Sequence, residues 1–383
     1  MKTPKTSRLF TPRVNEKTGV TYYVLTERVA AYQQSFYFVN DSMTLDGRYL
    51  WFYAANPPVF TASTRMLGFV DFERDEITLC TDTLFREASP YIDPQTGEAY
   101  FTWGNRIFRR APRRDAKAEL LCTVPGRGRL DRLATHLTRS ADGRELFIDA
   151  QDGACHYMLG TYHLEKGEFT LWAERDHCVN HGQINPRNSD LALYARDFHV
   201  NRESGAFEDI PGRDSVYERL WTVTRGGECT LIPPRNNFAS HEWWSADGTG
   251  VYYVNSHGIQ RYDIGTKEHI CVHECDPWHA HADPAEEHYV FDEAVRDEWG
   301  TWYRGMPARV KFYNRKTQKE IEITDLMKAG DFSPKKQSEC HIDPHPRFSE
   351  NGKYVIFTTY EMGNVDLALC ETELLQKLPE DRF

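Results

Sequence analysis

The chain has 383 residues, 40% of them hydrophobic and 27% charged, which is enough apolar content for a buried core but gives no run long enough for a membrane helix. A net charge of −11 excludes general nucleic-acid binding and attraction to an anionic membrane, while allowing a local basic pocket for an acidic ligand. The nine cysteines are odd in number and lack Cys-x-x-Cys spacing, and the N-terminus has no apolar signal segment, so reduced thiols and a cytoplasmic protein are expected.

The first predicted element is a strand around Thr21 to Leu25, which has no turn unit of its own. A strand–turn–strand unit then recurs seven times. Its turns are Leu45-Asp46-Gly47, Asp93 to Gly97, Asp142-Gly143, Pro186-Arg187-Asn188, Asp247-Gly248, Asp283 to His288, and Glu350-Asn351-Gly352. Asp-Gly and Asn-Gly supply the positive φ of tight hairpins, and the aromatic and β-branched runs that follow are strand formers. The spacing is about 51 residues, a blade-sized period. Amphipathic helical patterning is confined to Ile323–Ala329 and Glu371–Leu378. These features predict a single all-β domain over residues 1–383, a seven-bladed β-propeller whose last blade is completed by the N-terminal strand.

Five histidines share one register in these units. His136, His181, His241, His281 and His345 each lie seven residues before a turn position: Gly143, Asn188, Gly248, His288 and Gly352. In a propeller the equivalent points of successive blades converge, and the start of each first strand lies at the channel mouth. The long insertions from Arg196 to Glu218 and from Asp292 to Ala308 are expected to overhang that same face, where function concentrates.

In Cys340-His341-Ile342-Asp343-Pro344-His345, Asp343 and His345 are two apart and point the same way on an extended segment. Added to His281, with His241 or His279 as further members, they make an imidazole–carboxylate set suited to a divalent metal such as manganese, iron, nickel or zinc. Whether Cys340 or His341 joins the set stays open. Trp243, Trp244 and Trp278 read as packing, and Asp46, Asp142 and Asp247 as turn residues.

The segments Asn180-His-Gly-Gln-Ile-Asn-Pro186, Ser240-His-Glu-Trp-Trp-Ser-Ala-Asp-Gly248 and Asp343-Pro-His-Pro-Arg-Phe-Ser349 resemble the oligogalacturonate lyases, a family of seven-bladed propellers, over blades four to seven. The resemblance implies a manganese-type ion with His281 and His345 as ligands, His241 as Brønsted base and Arg219 as a substrate-approaching arginine. The chain departs from the family pattern at Asp343, where the family has a third histidine, at Cys340, where it has a glutamine, and at His136.

The implied reaction is β-elimination on a uronate-containing oligosaccharide. A divalent cation neutralises the uronate carboxylate and a neutral histidine removes the C5 proton. His136 and His181 are candidate substrate contacts. Arg129 and Arg132, with Arg127, are candidates for the positive field that draws an anionic sugar to an acidic chain. The alternative reading is a non-catalytic propeller that binds a sugar or a protein and carries a metal site.

Overall fold

A computed structural model of the chain describes residues 1–56, 64–86, 90–126, 130–153, 156–197, 199–200, 207–208, 218–294, 308–325 and 343–377. The protein is a seven-bladed β-propeller, each blade a twisted antiparallel sheet. Blade five shows the pattern. Its strands Ser240–Trp244, Gly250–Asn255, Gly258–Asp263 and His269–His273 pair in sequence order from the channel outward. In the last blade the order is Arg347–Phe348, Tyr354–Thr359, Asp366–Glu371, Thr21–Leu25 and Phe10–Val14, so strands from both ends of the chain share one sheet. The insertion of blade four carries a two-stranded ribbon, His199–Val200 with Phe207–Glu208.

Four of the blades turn over by the same local chemistry. In blade five the Ser245 amide donates to the Gly250 carbonyl at 2.8 Å, and the Gly248 amide donates to the Ser245 carbonyl at 2.9 Å. The Ser245 hydroxyl donates to Asp247 at 2.6 Å. Thr44, Ser140 and Ser349 open their turns with matching side-chain bonds to Asp46, Asp142 and Asn351.

The strands are buried on both faces because they are sandwiched between neighbouring blades. Apolar clusters fill each of the seven seams, including Leu50 and Phe52 against Ile356 and Leu369 where the ring closes. One short helix, Thr372–Lys377, follows the last blade, within the helix expected from Glu371 to Leu378; Leu378 lies outside the described residues. The helix expected from Ile323 to Ala329 is not seen at its start. Ile323 is fully buried and ends, with Thr324, the strand Lys319–Thr324, because Thr324 pairs with Val310 and the seam demands an apolar residue. Residues 326–329 lie outside the described residues. Among the described residues no helix is long and apolar enough to cross a membrane.

Two consequences are measurable. Gly258 has a φ of +125°, and a Cβ there would lie 1.9 Å from the His273 carbonyl oxygen. Gly258→Ala is expected to lower unfolding stability by about 3 kcal/mol, read by urea denaturation, because backbone strain and a clash with main chain add. The second concerns the seam between blades five and six, where Glu320 accepts from His273 at 2.5 Å and from Lys311 at 2.8 Å. Burial pushes this carboxyl up, but the two hydrogen bonds and the lysine charge outweigh it and hold it down at about 2. A carboxylate depressed in the folded state stabilises above its unfolded pKa and loses that contribution as pH falls. Stability is therefore expected to decline from about pH 4.5 towards pH 2, and Glu320→Gln should flatten that decline in acid-titrated thermal melts.

Candidate functional site

Counting back four residues from the residue that opens each turn gives one structural position per blade. From Ser140, Asn185, Ser245, Asp283 and Ser349 it falls on His136, His181, His241, His279 and His345, and from Thr44 it falls on Asn40. Blade six thus presents His279 at this position, where the sequence register pointed to His281. The turn there carries its positive φ, 56°, on Glu286 and not on a glycine, so counting from His288 shifts the register by two. His281 lies further down the channel, where its Nδ1 accepts the Phe348 amide proton at 3.3 Å.

The five imidazoles form a broken ring. His241 and His345 each approach His279 with ring centroids 4.3 Å apart, and His136 meets His181 edge-on at 5.0 Å. Tyr37 closes the centre. It stacks on His136 at 4.8 Å, and His345, His181 and His279 surround it at 4.8, 5.7 and 5.8 Å.

Backbone geometry aims three of these rings. His181, His241 and His345 have φ of 54°, 47° and 47°, the left-handed region that non-glycine residues enter at a cost of about 1–3 kcal/mol each. His181 and His241 lie in β-bulges, between Asn180 and Gln183 and between Ser240 and Trp243, where the extra residue re-aims the side chain. The His181 amide donates to Thr135 Oγ1 at 2.6 Å, and the next amide, of Gly182, donates to Asp149 at 3.1 Å. A Cβ at Gly182 would lie 2.8 Å from Phe147, so this bulge requires glycine. Strain that persists at three equivalent points of one channel marks a site where position outweighs comfort.

Ligand atoms of His279, Asp343 and His345 lie within 4.8 Å of one another, and all three residues are buried. His345 Nε2 is 4.0 Å from Asp343 Oδ2, a separation one ion with bonds of about 2.1 Å can span. His279 is already oriented. Its amide and its Nδ1 both donate to Asp292, at 2.6 and 2.8 Å, which leaves Nε2 as the outward lone pair. Asp292 is fully buried, and a carboxylate accepting the Nδ1 proton in this way fixes the tautomer and direction of a metal-ligating imidazole. The donor set fits a divalent first-row ion.

His241 sits beside this set, edge-on to Trp278 at 4.8 Å and 3.1 Å from the Ser240 hydroxyl through Nδ1. Burial, followed by the nearby His279 and the Arg219 charge, holds its pKa well below the ordinary histidine value, so the ring is neutral. His136 is also held neutral, by burial and then by His181 and Arg132, and both its ring nitrogens are buried without a hydrogen-bond partner. Arg219 is buried between Asp197 at 3.1 Å and Glu242 at 3.2 Å. Glu242 Oε1 is also 3.4 Å from His181 Nδ1.

Arg132 is used elsewhere, since its guanidinium donates to the Asp149 and Val179 carbonyls at the seam of blades three and four. Arg129 lies outside the described residues, as do Arg127, Cys340, His341 and most of both long insertions. Tyr37, Glu242, Asp292 and Asp197 are members that sequence reasoning missed. Only Glu242 had a signal there, as the residue next to His241; the others come from different strands and loops.

No protein-family model matches this sequence, and no curated protein sequence does. An oligogalacturonate lyase in complex with manganese superposes with a TM-score of 0.74 over 97% of this chain and 97% of that one, at 16% identity. The oligogalacturonate lyase of Vibrio parahaemolyticus gives a TM-score of 0.74 over 94% and 96%, also at 16% identity. What is shared is the propeller fold. A puromycin hydrolase is more distant, with a TM-score of 0.56 and 11% identity over 86% of this chain and 50% of that one.

Proposed function

We propose that this protein is a metal-dependent lyase that cleaves uronate-containing oligosaccharides, of the oligogalacturonide type, by β-elimination. The observation that carries this reading is a neutral His241 next to a buried His279–Asp343–His345 set whose first member is oriented by Asp292. The likeness in fold to two oligogalacturonate lyases, one of them a manganese complex, supports the same direction.

His279, Asp343 and His345 would hold the ion, with manganese as the proposed metal. When bound, it supplies the positive charge that offsets the uronate carboxylate and makes the C5 proton removable. His241 accepts that proton on its ring, the C5–H electron pair forms the C4–C5 double bond, and the glycosidic oxygen leaves C4 with the bonding pair and takes a proton from solvent. Arg219 is the proposed substrate contact, with its guanidinium plane held by Asp197 and Glu242. His136 and His181 line the other half of the ring, where a second sugar unit would lie. Asp343 in place of an imidazole adds negative charge at the ion, which is expected to tighten cation binding and reduce the ion's pull on the substrate.

The test is incubation of the protein with oligogalacturonides and Mn²⁺, following ultraviolet absorbance of the conjugated C4–C5 unsaturated product. A metal-dependent rise is the expected result. No rise on any galacturonide or glucuronide, with the metal bound, would sink the proposal.

A further inference from the structure

A cavity occupies the turn end of the channel, with a volume of about 940 Å³, in the range that takes a small molecule. None of the five ring histidines lines it. Its walls are the later halves of the inner strands and the turns that follow, while Tyr37 fills the centre of the histidine ring at the other end.

Arg347 is the unexplained group in this wall. It is 3% exposed, and its Nε donates to the Phe348 carbonyl at 3.1 Å. Its Nη2 lies 3.6 Å from Asp41 Oδ1, and its Nη1 is buried with no hydrogen-bond partner. Asp41 accepts the amides of Ser42, Met43 and Glu350, at 2.6, 3.0 and 2.6 Å, and stands beyond hydrogen-bond distance of the guanidinium. Glu350, on the rim, is exposed to solvent, where water screens its charge from Arg347. The other acids of the wall are engaged: Asp93 with Arg139, Asp142 with the Ser140 hydroxyl, Asp283 with His288, and Glu286 with the Ala246 amide and the Tyr252 hydroxyl. A buried guanidinium with an unmatched N–H is costly unless an anion meets it.

His281 lines the same cavity and offers a second donor. Its Nδ1 accepts the Phe348 amide proton, so the neutral ring carries its proton on Nε2. Val39, Ile184 and Trp244 supply apolar wall beside these two donors.

We propose that this end of the channel binds a small organic acid, with its carboxylate on Arg347 and His281 and an apolar body against Trp244 and Val39. The site is separate from the histidine ring and does not depend on the lyase reading.

The probes are benzoate, benzamide as its uncharged shape match, and inorganic phosphate as charge without an apolar body. Each is titrated against the full chain in EDTA, so that no cation site is read, with Trp fluorescence and calorimetry as readouts. Saturable benzoate binding is expected, with benzamide and phosphate each about tenfold weaker or more, since one charge-assisted contact or the apolar contact is lost. Arg347→Gln should remove the preference for benzoate over benzamide, and His281→Gln should weaken benzoate alone. Equal binding of benzoate and benzamide, absence of saturation, or a folded Arg347→Gln variant that binds benzoate as the parent does would each overturn the proposal. Should Arg347→Gln fail to fold, the three-probe comparison on the parent chain and the His281→Gln titration decide the matter.

Discussion

His241→Asn is expected to lower the rate of unsaturated-uronate formation by about a hundredfold to ten-thousandfold, while Mn²⁺ affinity stays close to that of the parent protein. Asparagine is the right replacement because position 241 has φ of 47°, and asparagine enters the left-handed region more readily than most residues. The bulge between Ser240 and Trp243 should then survive, and the lost function is the proton-accepting ring. Rates are read from ultraviolet absorbance and metal affinity from calorimetry. An asparagine variant with parent-like turnover would remove His241 from the mechanism. A variant that loses the metal as well would make it a ligand.

His279→Gln is expected to weaken Mn²⁺ binding by more than about a hundredfold, and Asp292→Asn by about ten- to a hundredfold. Asp292 never touches the proposed ion. It accepts the Nδ1 proton of His279 at 2.8 Å and the backbone amide at 2.6 Å, so it fixes both the tautomer and the direction of Nε2. Asparagine keeps the shape but offers a neutral and weaker acceptor. His281→Gln serves as the contrast, because His281 lies down the channel against Phe348 and should leave Mn²⁺ affinity unchanged. If His281→Gln loses the metal and His279→Gln keeps it, the ligand assignment is reversed.

Much of the architecture was legible in the chain. Turn residues such as Asp142-Gly143 and Asp247-Gly248 need a positive φ that glycine provides, and their recurrence revealed the blades. The register of His136, His181, His241 and His345 also survived intact, because each is separated from its turn by a constant length of inner strand. It failed in blade six alone, where Glu286 takes the glycine's place with φ of 56° and hides the turn from composition. The start of the helix expected at Ile323 is strand for a related reason, and residues 326–329 lie outside the described residues. An apolar spacing there served burial of a strand in a blade seam.

Local sequence determined the turns, the strands and which residues begin the inner strand of each blade, since these depend on backbone preferences within a few residues. Only the tertiary structure decided which histidines touch. Asp292 reaches His279 from the neighbouring strand of its own blade, Tyr37 arrives from blade one to meet four imidazoles, and Arg219 is fixed by carboxylates at positions 197 and 242. Such contacts arise from strand pairing within a blade and from the convergence of blades on the channel, which bring residues distant in sequence within a few ångströms without leaving any periodic trace along the chain.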